Sequence, residues 1–232
     1  MFDNIYMSTT LKMFYRFLNS TKGPFLMNVL LINGSPHQNG CVFTALSEIA
    51  STLADENVSS EIFWIGNQPV RGCIGCFKCR EDGANGCIFA DDLYNALLEK
   101  LQHADGIIVG SPVYYAGPPG QLCSILDRVC FSAAKYLKHK PGACAVNCRR
   151  GGASSTFDRL NKYFTILQMP VVSSQYWNST HGFTPEDVKK DLEGLQTMRT
   201  LARNMAHLLK SNAAAALAMP EQEVPVMTNF IS

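Results

Sequence analysis

The sequence predicts an α/β fold, a doubly wound parallel sheet of five strands with helices on both faces. Two patterns predict it. Short, continuously apolar runs such as Val29-Leu30-Leu31-Ile32 and Gly106-Ile107-Ile108-Val109-Gly110 suit strands buried on both faces. Longer stretches between them place apolar residues at helical spacing, so strand and helix alternate along the chain. Sheets of this kind hold ligands at the carboxyl ends of their strands.

The elements follow in order. Val29–Ile32 is the first strand, and the turn residues Asn33, Gly34, Ser35 and Pro36 end it. After the polar loop His37-Gln38-Asn39-Gly40, a helix from Cys41 to about Asp55 presents Ala45, Leu46, Ile49, Ala50 and Leu53 on one face. Glu61–Ile65 is the second strand. Gly66–Asp92 is long, Gly-rich and irregular, and loops of that kind inside a compact domain are usually functional. Asp91 or Asp92 caps a helix through Leu93, Leu97, Leu98 and Leu101. Gly106–Gly110 is the third strand, followed by a helix with Leu122, Ile125, Leu126, Val129 and Cys130 on one face. Ala143–Val146 is the fourth strand, and the next helix carries Phe157, Leu160, Tyr163, Phe164 and Leu167. Pro170-Val171-Val172 reads as a short fifth strand, and Pro185 to about Leu209 as one long final helix. The domain therefore runs over 27–210, with an extension at 1–26 and a weakly structured tail at 211–232 whose last apolar piece, Val226–Ile231, could dock back on the body.

The extension is aromatic and basic, without a secretory pattern. It reads as weakly ordered, or as preceding a translation start at Met27; an aromatic arm for a partner subunit is the alternative. A net charge of +1 argues against nucleic acid or an anionic membrane as a partner, since each needs a concentrated basic face. No apolar run reaches membrane-spanning length. Nine cysteines, an odd number without a secretory signal, suit a cytoplasmic chain whose thiols are reduced, metal-bound or reactive.

Three loops fall at the carboxyl ends of the predicted strands: Ser35–Val42, Ser111–Gly117 and Asn147–Gly152. The first follows a buried strand and opens a helix, so its hydroxyls and N–H groups and the positive end of the helix dipole converge. Neither the nucleoside triphosphatase loop nor the dinucleotide fingerprint is present. An uncharged cradle of Ser35, His37 and the amides of Gly40, Cys41 and Val42 fits the phosphate of flavin mononucleotide in a flavodoxin-like sheet; an ordinary βα turn with a solvated His37 is the plainer reading. The second loop suits a flat ring. Tyr114 and Tyr115 offer stacking faces, Pro112 and Gly117 fix the backbone, and main-chain N–H groups around Val113 can donate to ring heteroatoms. The same tyrosines would also serve as core or subunit-contact residues. In the third loop, Asn147, Arg149 and Arg150 precede Gly151 and Gly152; a cation beside the pyrimidine edge of a flavin favours its anionic reduced form, while solvated arginines are the alternative. No catalytic side chain is required, because the flavin carries the chemistry.

The fourth constellation is Cys73, Cys76, Cys79 and Cys87, spaced C-x2-C-x2-C-x7-C within a glycine-rich loop. Structural zinc sites usually use two separated knuckles, whereas this compact run suits an iron–sulfur loop. A [4Fe–4S] cluster, free or redox-active thiols, and zinc all stay open as readings of the spacing.

Taken together, VLLINGSPHQNG, GCIGCFKC with a later cysteine before Asp91-Asp92, IIVGSPVYYAGPPGQL with LDR, and NCRRGG resemble the NADPH-dependent FMN reductase family. More narrowly they resemble its iron–sulfur flavoproteins and their cluster-free relatives, over roughly Met27 to Leu209. The resemblance implies a flavodoxin-like sheet of order 2-1-3-4-5, bound FMN, and NAD(P)H-driven reduction of a flavin, quinone or similar small acceptor. It also implies a homodimer or homotetramer with the flavin near a subunit interface. With a [4Fe–4S] cluster on the four cysteines, the implied alternative is an electron-transfer or redox-sensing module served by a ferredoxin-type donor. The family's first loop usually reads G-S-P-R-x-x-G-N-T; here His37 replaces the Arg, and Cys41-Val42 replaces Asn-Thr. One fixed charge and one hydroxyl are lost, at about 1.5–3 kcal/mol for each charge-assisted hydrogen bond, so weaker FMN binding is expected. A scaffold that has lost FMN is the rival reading those departures support.

Overall fold

The computed structural model describes residues 27–89 and 91–228. The expectations for the extension before Met27, and for the last part of the tail, lie outside those residues. The strands are β1 Asn28–Asn33, β2 Ser59–Trp64, β3 Gly106–Pro112, β4 Gly142–Cys148 and β5 Ser179–His181. The helices are α1 Cys41–Asp55, α2 Asp92–His103, α3 Gly120–Ser132, α4 Ala134–Leu137, α5 Ala153–Ile166, α6 Pro185–Lys190 and α7 Leu192–Ala215. The strands form one parallel sheet in the order β2-β1-β3-β4-β5. This is the doubly wound, flavodoxin-like arrangement expected.

The alternation of β1 explains why helices cover both faces. Leu30 and Ile32 point into one core with Ile107, Val109, Leu122, Ile125 and Leu160. Val29 and Leu31 point into the other with Ile108, Val42, Leu46, Ile49, Met198 and Met205. Each such side chain contributes about 1.5–3 kcal/mol on full burial, so neither face tolerates solvent. α2 through α5 pack on the first face, and α1 and α7 on the second.

Three elements differ from the sequence reading. Pro170–Val172 is not the fifth strand: Val171 makes only an isolated bridge to Gly142. Pro170 has no N–H to give to a ladder. The chain leaves the sheet, and Ser174 and Asn204 fasten it to α7 through Ser174 Oγ–Thr197 O at 2.6 Å and Asn204 Nδ2–Ser173 O at 2.8 Å. It rejoins the carboxyl end of β4 as Ser179–His181. The long final helix is two, because Asp191 breaks it; its carboxylate accepts from Gly194 N at 3.0 Å and caps α7. α7 then continues to Ala215, taking in the start of the segment set apart as tail. Val226 and Met227 are exposed, so the described part of the tail's last apolar piece does not dock.

β1 and β3 lie so close at their carboxyl ends that a side chain at position 34 has no room. Gly34 N donates to Gly110 O at 2.9 Å. A Cβ there would stand 2.8 Å from that oxygen and 2.9 Å from Leu122 Cδ1. Gly34→Ala is therefore expected to lower the unfolding free energy by about 1–3 kcal/mol, read from the urea midpoint. An unshifted midpoint would refute the close approach.

Candidate functional site

The loops after β1, β3 and β4 meet at the carboxyl edge of the sheet. Asn33, buried at the end of β1, shapes the first of them. Its Oδ1 accepts from Ser35 N at 3.1 Å, and its Nδ2 donates to Gln38 O at 2.9 Å. Ser35 Oγ accepts from His37 N at 3.1 Å, and Trp64 Nε1 donates to Ser35 O at 2.8 Å. Gly40 is the N-cap of α1, and among the described residues no side chain caps that end. The first-turn N–H groups, starting with Cys41 and Val42, thus lack an intrahelical acceptor beside the Ser35 hydroxyl. This is an anion cradle. His37 is exposed, whereas Val42 is core, so Val42 offers its N–H alone. The Cys41 thiol points to Gly182 O at 3.8 Å, and burial raises its pKa.

The second loop turns back on itself. Tyr114 and Gly117 exchange N–H···O bonds of 2.8 and 3.0 Å. The two residues between them, Tyr115 and Ala116, have φ of +50° and +58°. Such a pair costs about 1–2 kcal/mol per non-glycine residue, and strain of this kind gathers at functional sites. The turn is held from outside: Ser155 Oγ donates to Ala116 O at 2.8 Å. Tyr115 is fully exposed and Tyr114 partly so, which leaves both rings available as faces. Pro112 and Val113 link this loop to β4, where Val113 N donates to Asn147 O at 3.1 Å.

The third loop divides its residues between roles. The Asn147 side chain is buried; it accepts from Thr180 Oγ1 at 3.0 Å and donates to Gly182 O at 3.2 Å. It braces β4 against β5. Arg149 and Arg150 are exposed, with Gly151 beside them, and Gly152 caps α5. Arg149 lines an open cleft of about 440 Å³ with His181, Gly182, Phe183 and Asp187. These last four were missed because they end or follow a strand that the sequence reading placed elsewhere. Asp187 accepts from Thr184 and Phe183 N–H groups, and the Thr184 bonds hold its carboxyl below the ordinary range.

The four cysteines of Gly66–Asp92 line one small, partly open cavity, with Ile74, Phe77, Ile88, Phe89, Phe131 and Arg128. Among the described residues no three metal-binding side chains are drawn into a ready coordination group. The residue types nevertheless fit a thiolate-held centre: four cysteines and an apolar wall line a single cavity. Burial raises the Cys79 pKa, the Arg80 charge opposes the rise, and Cys87 and Cys76 add to it. Tyr94 fixes the far end of the loop. Cys87 N donates to Tyr94 Oη at 2.9 Å, Tyr94 Oη lies 2.6 Å from Ser132 Oγ, and Ser132 Oγ donates to Arg128 O at 2.7 Å. Gly86, at φ +115°, passes so near that a Cβ would stand 2.7 Å from Tyr94 Oη. Gln121 Nε2 donates to Gly66 O at 2.7 Å and fixes the near end.

Comparison with known proteins agrees with this geometry. The profile of the NADPH-dependent FMN reductase family matches residues 27–184. An iron–sulfur flavoprotein of Methanocaldococcus jannaschii is 34% identical over 192 residues, covering 79% of this chain and 98% of the relative. An iron–sulfur flavoprotein of Methanosarcina thermophila is 28% identical over 190 residues, covering 79% and 96%. Among solved structures, RosB with its bound 8-demethyl-8-formylriboflavin-5′-phosphate superposes with a TM-score of 0.64 at 14% identity, covering 89% of this chain and 92% of RosB.

Removing the Tyr94 hydroxyl leaves Cys87 N–H without its acceptor. Tyr94→Phe is expected to cost about 1–3 kcal/mol and to speed proteolysis within 72–89. Cleavage at the wild-type rate would show that this hydrogen-bond chain does not hold the loop.

Proposed function

The chain belongs to the NADPH-dependent FMN reductase family, in its iron–sulfur flavoprotein branch, and we propose that it works as an FMN-dependent oxidoreductase. NAD(P)H is the proposed donor, and a free flavin, a quinone or a similar small molecule the acceptor. The observation that carries the reading is the uncapped start of α1 beside the buried Ser35 hydroxyl, at the edge where two further loops converge.

When bound, FMN supplies hydride acceptance and electron delivery, so the side chains need only place and polarise it. Ser35 donates its hydroxyl, already oriented by His37 N–H, to the phosphate. The first-turn N–H groups of α1 add donors and the positive end of its dipole. The braced Tyr114–Gly117 turn would offer an aromatic face to the flavin ring. Arg149 places its charge in the neighbouring cleft, where a negative reduced ring gains stabilisation. Cys73, Cys76, Cys79 and Cys87 are the proposed ligands of an iron–sulfur cluster, which would supply single-electron transfer.

A second reading, an electron-transfer module fed by a ferredoxin-type protein, draws support from the surface of the cysteine loop. Cys73 and Cys76 are exposed there beside Ile74, Phe77 and Ile88. Anaerobic spectra with rapid-mixing kinetics separate the two. Flavin bands that bleach quickly with NADPH are expected; bleaching only with a reduced ferredoxin favours the second reading, and colourless protein that takes up no FMN refutes both. On the same samples Ser35→Ala is expected to weaken FMN binding about 10-fold or more. Arg149→Ala is expected to move the flavin potential negative, and an unmoved potential would remove Arg149 from its role.

We also propose a second copy of the chain as a partner, in a homodimer or homotetramer. Exposed Tyr114, Tyr115 and Phe183 at the carboxyl edge support it. Light scattering is expected to give at least twice the 25.6 kDa of one chain; a monomer at micromolar concentration would refute it.

A further inference from the structure

We infer that Arg128 positions the cysteine loop and is the built-in counter-cation of an anionic metal–thiolate centre on Cys73, Cys76, Cys79 and Cys87. The inference rests on the proposed metal-binding role of those four residues.

Arg128 is among the largest fully buried side chains of the protein, at 1% exposure. It projects from α3 and lines the same cavity as the four cysteines. Its guanidinium ties both ends of their loop. Nη1 donates to Arg71 O at 3.3 Å, two residues before Cys73, and Nη2 donates to Phe89 O, two residues after Cys87. Nη1 also pairs with Asp91 Oδ2 at 2.8 Å, and the Tyr94 ring covers the group at 5.0 Å. The two carbonyls and one carboxylate use only the terminal nitrogens. Nε is buried and has no acceptor among the described residues.

A buried guanidinium with an unused donor marks a place where an acceptor belongs. Neutral thiols are weak acceptors and need no cation. Four thiolates on a divalent metal, or on an iron–sulfur cluster, carry net negative charge and accept hydrogen bonds at sulfur. Asp91 is about half exposed, so its charge is screened by water, whereas that of Arg128 is not. The other cations of the loop are solvent-exposed, Arg80 among them although its charge reaches Cys79. Arg71 stacks on Phe89, Arg80 stacks on Phe131, and Lys78 pairs with Glu81, all at exposed positions. Arg128 is thus the buried cation of the cavity lining among the described residues, and the loop is built for the loaded, anionic state.

The test uses the reduced full-length protein under nitrogen. Co(II) is titrated in and followed by its thiolate charge-transfer band; a second sample is reconstituted with ferrous iron and sulfide, and its midpoint potential is measured. Arg128→Met is expected to weaken Co(II) binding about 10-fold or more and to move the potential negative. Asp91→Asn keeps the helix cap and Arg128 but removes the competing carboxylate, so the potential should move positive. Arg128→Lys should restore the potential more than the affinity, because it keeps the charge and loses the fork. FMN uptake and thermal unfolding of each variant report whether the fold is intact. If Arg128→Met does not fold, Asp91→Asn and Arg128→Lys decide the matter. Equal potentials across the variants would overturn the inference, as would a negative shift in Asp91→Asn, since a mere strut gives no opposite signs. No thiolate band in the wild-type protein would overturn the four-cysteine reading and this inference with it; a band without the variant effects would overturn the inference alone.

Discussion

Burial of β1 on both faces is the constraint from which the rest of the structure follows. Alternate residues of one strand feed opposite cores, so β1 can move toward neither. Its carboxyl end is therefore a fixed point. Asn33 stands there with no solvent to satisfy its amide, and the loop that follows must wrap around it to supply partners. The anion cradle owes its shape to that requirement. The close approach of Gly34 to β3 brings the second loop into the same place.

α3 joins the two chemical regions. Near its start, Leu122 packs against Gly34 beside the cradle, while Arg128 and Ser132 tie down the cysteine loop farther along. Six residues of helix separate Leu122 from Arg128, an axial distance of about 9 Å. A rigid helix between the carboxyl edge of the sheet and a cysteine-lined cavity keeps both in register with the sheet. Since α3 is buried along one face, neither region can shift without disturbing the first core.

Two features of these regions run against local preference. Tyr115 and Ala116 adopt the left-handed turn that Asn-Gly would adopt more easily. Ser155 and the mutual bonds of Tyr114 and Gly117 hold them in it. Arg128 is buried with a donor unused, where most arginines keep their heads in water. The stable cores on either side of the sheet offset both costs.

The sequence by itself determined the first four strands, the four longer helices between and after them, the three loops of the carboxyl edge and the cysteine run. Those depend on local signals: apolar periodicity, turn residues and the spacing of a reactive side chain. The tertiary structure alone decided how the pieces are used. Pro170–Val172 has the composition of a strand, yet the ladder beside β4 goes to Ser179–His181, because pairing is settled by what the partner strand and α7 offer. That choice brings His181, Phe183 and Asp187 to Arg149, a neighbourhood that no spacing in the chain announces. Asn147 belongs to a loop rich in ligand-type residues, but Thr180 and Gly182 occupy its amide. Arg128 reads as one more charge on a helix until its burial beside Cys73 and Cys87 is seen. Periodicity reports which face of an element is buried; only the packed chain reports what each buried polar group meets there.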